Sequence, residues 1–150
     1  MKDARYTAVQ ALLRQNTANA YSNLVIDSLI NQNELDARDS SFASALFYGT
    51  LERMLTIDHI LSAYSSKPLE KLSPVVLEVL RTGICQLVFM NGIDDYAAVN
   101  ESVNLVKQMG KAKASGFVNG VLRSFLRDEK KTPAVPAHRK VPASIRSATT

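Results

Sequence analysis

The chain has 150 residues, 46% of them hydrophobic and 21% charged, which is the composition of a globular protein with enough length for one core of its own. No apolar run approaches the ~18–20 residues of a membrane span, and the single cysteine, Cys85, excludes a disulfide framework or a thiolate cluster for zinc. The net charge of +4 is local: residues 1–128 hold 13 Lys/Arg and 13 Asp/Glu, while 129–150 hold five basic residues and only Glu129.

The N-terminal MKDARYTAVQALLR is charged and helical in pattern, without the apolar centre and cleavage site of a secretion signal, so a soluble cytoplasmic protein is expected. Asp3 is placed to cap a first helix with Val9, Leu12 and Leu13 on its apolar side. A second helix is predicted over Ser22 to Gln32, carrying Leu24, Ile26, Leu29 and Ile30. Asp36 starts a longer pattern that buries Phe42, Leu46, Phe47, Leu51, Leu55 and Ile60. It reads as two helices broken between Arg53 and Ile57.

SPVVLEVLRTGICQLVFMNG is a cleaner signal. Ser73 is an N-cap, Pro74 takes the first helical position, and the apolar run stops at Asn91-Gly92. Apolar on nearly every face, this segment is expected to be the central helix, with Cys85 as inert core and Arg81, like Arg53, at the surface or between helices. DDYAAVNESVNLVKQMG gives the next helix, and a last one runs from about Ala112 to Asp128. Beyond it, Pro133, Pro136 and Pro142 with few large apolar residues describe a flexible linker or tail. The expectation is an all-α bundle of about seven helices over 1–128, followed by a Pro-rich basic tail at 129–150.

The last helix, ASGFVNGVLRSFLRD, carries two glycines in its interior, each costing ~0.5–1 kcal/mol relative to alanine. At 100° per residue, Lys113, Gly116, Asn119, Gly120, Arg123 and Arg127 share one side; Val118, Val121, Leu122 and Phe125 share the other. Something is expected to approach the backbone along Gly116 and Gly120. It is a neighbouring helix, an RNA that uses Asn119 for hydrogen bonds and Arg123 and Arg127 for phosphates, or both, with Gly120 serving packing and the arginines RNA; the wheel alone does not decide between them. From Ser102 to Arg127 there are five basic residues, Lys107, Lys111, Lys113, Arg123 and Arg127, and no acid, a pattern that attracts phosphate. His59 and His138 have no partner at metal-ligand spacing, so no metal site is expected.

AYSNL at 20–24, LFYGTLER at 46–53, LEVLRTGICQLVFM at 77–90, AAVNESVNLVK at 97–107 and GFVNGVLRSFLR at 116–127 occur in order. Together they resemble the NusB-like domain, and more closely that domain at the N-terminus of the 16S rRNA cytosine-5 methyltransferases of the RsmB family. The second candidate is a free-standing NusB-type antitermination factor acting as a protein-interaction module. The resemblance implies a NusB-like bundle that helps recognise small-subunit rRNA, with the catalytic cysteines and S-adenosylmethionine in a C-terminal methyltransferase domain. It implies no catalytic residue in this chain. It also implies RNA contact by Arg5, although of the arginine-rich N-terminus of free NusB proteins only Lys2, Arg5 and Arg14 remain. Asn100 and Glu101 fall in the family's AAVNE motif, where a polar contact between helices is implied. A ribosomal protein is a further implied partner, docking on the faces around Gly116/Gly120 or Tyr96.

Overall fold

The computed structural model describes residues 2–18 and 22–130. Seven α-helices lie among them: α1 (Ala4–Ala18), α2 (Ser22–Gln32), α3 (Ala37–Glu52), α4 (Met54–Tyr64), α5 (Pro74–Phe89), α6 (Asp95–Gln108) and α7 (Ser115–Arg127). Two short 3-10 turns, Leu69–Lys71 and Ala112–Ala114, lead into α5 and α7. No helix among the described residues is long and apolar enough to cross a membrane. Of the tail expected at 129–150, residues 131–150 lie outside the described residues.

Local chemistry sets the helix starts. The carboxylates of Asp3, Asp36 and Asp94 accept from the N–H groups of Tyr6, Asp39 and Ala97 at 2.8–3.0 Å, and Ser73 accepts from Val76 ahead of Pro74. Each cap satisfies an N–H that the first helical turn leaves without an intrahelical partner. The α3–α4 break falls at Arg53, whose φ of −112° leaves the helical region and whose guanidinium lies 4.5 Å from the Phe89 ring centroid. That break resets the helical phase. Leu55, expected in the core, stands 89% exposed on the first turn of α4, while Ile57, Ile60 and Leu61 take the buried positions.

α5 is the centre of the bundle, in contact with α1, α3, α4, α6 and α7. Val79, Leu80, Ile84 and Cys85 are fully buried on it. Cys85 packs against α3, where a Cβ at Gly49 would come within 3.2 Å of its Sγ, and burial pushes its thiol above the usual range. A thiolate is disfavoured there, which suits a core residue. Gly83 lets α6 and α7 approach closely: a Cβ on it would lie 3.0 Å from Leu122 Cδ1 and 3.2 Å from Ser102 Oγ.

Arg81 binds α4 to α5. It donates through Nε and Nη2 to both Asp58 oxygens, each at 2.8 Å, and through Nη1 to Glu78, also at 2.8 Å. Glu78 is 1% exposed, and that guanidinium offsets part of the cost of burying its charge. The fork raises the Arg81 pKa through Asp58 and Glu78, against the opposing effect of burial.

α6 and α7 form an antiparallel hairpin over α5, closed at one end by Lys111 and the 3-10 turn. At the other end the chain does not leave the bundle at Asp128. The N–H groups of Glu129 and Lys130, both with φ near +60°, donate to Leu126 O and Phe125 O at 2.9 and 3.0 Å. Lys130 Nζ then pairs with Asp95 at 2.8 Å.

Candidate nucleic-acid interface

The amphipathic reading of α7 holds in space. Val118, Val121, Leu122 and Phe125 are buried, and Gly116, Gly120, Arg123 and Arg127 are exposed on the opposite side. The helix-packing expectation for Gly116 and Gly120 does not survive: a Cβ at either position would meet nothing within 4 Å. No helix among the described residues covers that face. Asn100, expected as an interhelical polar contact, is also corrected, because its place on α6 leaves it exposed.

Each cation on this face has its own setting. Arg123 Nε donates to Asn119 Oδ1 at 3.0 Å, four residues earlier and half-buried. Its guanidinium carbon lies 5.6 Å from the ring centroid of Tyr96, which is 60% exposed at the start of α6. Arg127 donates to Ser124 Oγ at 3.0 Å. Both arginines are thus pre-oriented along α7 by neutral partners rather than by carboxylates, which leaves their charge available to a ligand.

Lys107, Lys111 and Lys113 are exposed around the turn at the opposite end of the hairpin. No ion pair engages them among the described residues. α7 starts at this turn without a side-chain cap, so its positive dipole end adds to the three ammonium groups. The two ends differ in charge. Asp94, Asp95, Asp128 and Glu129 gather beside Tyr96, Arg123 and Arg127, whereas the lysine end carries no carboxylate between Ser102 and Arg127.

Arg5 sits apart from the glycine face. Its Nε donates to Gln86 Oε1 at 2.7 Å and its guanidinium lies 5.0 Å from the Phe42 ring centroid, so it is half-buried between α1, α3 and α5. With Asp3 it also lines a shallow polar dent against Glu101, Asn104 and Gln108 of α6. Among the described residues no cluster of three or more His, Cys, Asp or Glu is placed to hold a metal.

Residues 2–127 match the NusB family. This chain belongs to the NusB family. Within it, the probable ribosomal RNA small subunit methyltransferase B of Bacillus subtilis is 37% identical over 124 residues, covering 83% of this chain and 28% of that protein. The transcription antitermination protein NusB of Shewanella amazonensis is 30% identical over 121 residues, covering 81% of this chain and 90% of that protein. This NusB-family chain thus spans under a third of the methyltransferases it matches and most of the antitermination factors. In fold it is similar to T. maritima NusB, with a TM-score of 0.76 at 23% identity over 87% of this chain and 91% of that one. It has the same score, at 24% identity over 83% and 94%, against a chain in the crystal structure of antitermination factors NusB and NusE with double-stranded RNA.

Proposed function

We propose that this chain is the RNA-binding N-terminal module of an S-adenosylmethionine-dependent methyltransferase acting on C5 of a cytosine in small-subunit rRNA. The observation that carries the reading is the open outer face of α7: two glycines with open space beside them, edged by cations that form no ion pair among the described residues. An RNA backbone is the guest that such a face accommodates, because its phosphates seek cations and its ribose edge needs close approach. Lys107, Lys111 and Lys113 attract it, Asn119 offers hydrogen bonds, and Arg123 and Arg127 extend the track along the helix. Arg5 contributes through its long-range charge more than by contact, since its guanidinium is already engaged. Catalysis and the methyl donor belong to the C-terminal methyltransferase domain of such an enzyme, and this module presents the rRNA to it.

The methyltransferases among the relatives, of which this chain covers 28–32%, support the assignment to a larger enzyme. The antitermination factors support a second reading, docking of a ribosomal protein. The exposed Tyr96 under Arg123, in a mixed-charge rim, favours it, because tyrosine and arginine dominate protein interfaces.

Fluorescence anisotropy with a small-subunit rRNA hairpin over a salt series tests the choice. The 150-residue chain should bind with a steep salt dependence. Lys107→Gln/Lys111→Gln/Lys113→Gln should lower the log–log slope by ~2–3, about 0.7–0.9 for each phosphate left without its lysine. Arg123→Gln/Arg127→Gln should lower it less, because nearby carboxylates already weaken that end. Salt-insensitive binding to a ribosomal protein, with no RNA binding, would overturn the reading in favour of the second.

A further inference from the structure

The link from α4 to α5 runs beside α7 and brings a lysine to it from far away in the sequence. At its start, Tyr64 stacks edge-on against Phe125 with centroids 5.6 Å apart and donates its hydroxyl to Asp128 at 2.8 Å. Three residues on, Lys67 Nζ lies 5.8 Å from the centroid of the Phe117 ring. Phe125 and Phe117 are two turns apart on α7, roughly 12 Å. Tyr64 thus meets the C-terminal part of α7 and Lys67 its first turn. The link therefore lies alongside α7, running opposite to it.

Its backbone is held in place. Ser65 Oγ donates to Lys67 O at 2.6 Å and accepts from Lys67 N–H at 3.1 Å, and Pro68 then fixes φ at −57°. A lysine with both backbone polar groups bonded, followed by proline, loses much of the freedom that makes surface lysines poor ligands. No ion pair engages Lys67 among the described residues, and Glu70 in the same link is followed by Lys71.

The geometry of α7 tells which side this is. Arg123, which meets Tyr96 of α6, and Phe117, which meets Lys67, point about 120° apart around the helix. Gly116, Gly120 and Arg127 fall between them. The open glycine face is thus a floor with two walls, α6 on one side and the link on the other.

Resting on the reading of this face as an RNA interface, we propose that Lys67 is its second wall: a positioned cation that grips the phosphate backbone across the glycine floor from α6. An RNA strand laid over Gly116 and Gly120 would then be held from both flanks.

The test is the salt series with the same rRNA hairpin on the 150-residue chain, comparing Lys67→Gln, Lys71→Gln and Lys111→Gln/Lys113→Gln, with circular dichroism melts to confirm folding. Lys67→Gln should lower the log–log slope by about 0.7–0.9 and weaken binding several-fold at low salt, while Lys71→Gln changes neither. A slope unchanged in Lys67→Gln but reduced in Lys111→Gln/Lys113→Gln would overturn the second wall and leave the RNA interface standing. Slopes unchanged in both would overturn the interface and the wall together. Equal losses in Lys67→Gln and Lys71→Gln would overturn the wall as well, since bulk charge alone would explain them.

Discussion

A Cβ added to Gly83 on α5 would lie 3.0 Å from a fully buried leucine methyl, whereas one added to Gly116 or Gly120 on α7 would meet nothing within 4 Å. The arginines of the two helices divide in the same way. Arg81 on α5 spends its guanidinium on Asp58 and Glu78, while among the described residues Arg123 and Arg127 on α7 hydrogen-bond to neutral oxygens, and Arg123 also rests on a ring face. Similar residue types thus stabilise the bundle on one helix and face solvent on the other. What separates them is whether another element of the same chain completes their surroundings.

The contrast is sharpest at Arg81. Arg81→Met removes the guanidinium paired with Glu78, which is 1% exposed, and should cost about 3–5 kcal/mol in urea denaturation. Adding Glu78→Leu should recover most of that loss, because the uncompensated buried charge is then gone. A single variant as stable as the parent would show that Glu78 does not depend on Arg81, and the comparison with α7 would fail there. At Gly83 the expected loss is somewhat smaller. Gly83→Val drives methyl groups into Leu122 and Ser102 and should cost about 3 kcal/mol. An unchanged midpoint would mean that α6 and α7 can draw away from α5 without penalty.

Much of this architecture is legible in the sequence because it is local. The caps at Asp3, Asp36, Ser73 and Asp94 need only the residue and the turn that follows it, and the buried side of α7 follows from spacing alone. The site is legible only in part. The wheel finds the glycine face and its cations, yet it cannot say whether a helix covers them, since that depends on where other segments pass. Gly116 and Gly120 therefore resemble packing residues in the sequence, while the glycines that pack closely are Gly49 and Gly83, the latter set in an apolar run that hides it. Leu55 misleads for a related reason: the break at Arg53 shifts the helical phase, and no residue type in the sequence marks the size of the shift. The Asp58–Arg81–Glu78 bridge joins two helices, and Lys67 reaches Phe117 across 50 residues, so neither leaves a local trace.

The smallest effect bears most directly on the open face. With nothing within 4 Å of the added methyl, Gly120→Ala relieves the helix of glycine's entropy cost and should raise stability by about 0.5–1 kcal/mol. A structural glycine behaves in the opposite way. If RNA lies on this face, the same methyl stands between the helix backbone and the ribose-phosphate edge, so rRNA affinity should fall as stability rises. Ser41→Ala, at an exposed position on α3, serves as the comparison and should leave RNA binding unchanged. A more stable Gly120→Ala with undiminished RNA affinity would break the link between the glycines and the ligand. It would move the contact off the floor, to the lysine end and the walls of the face.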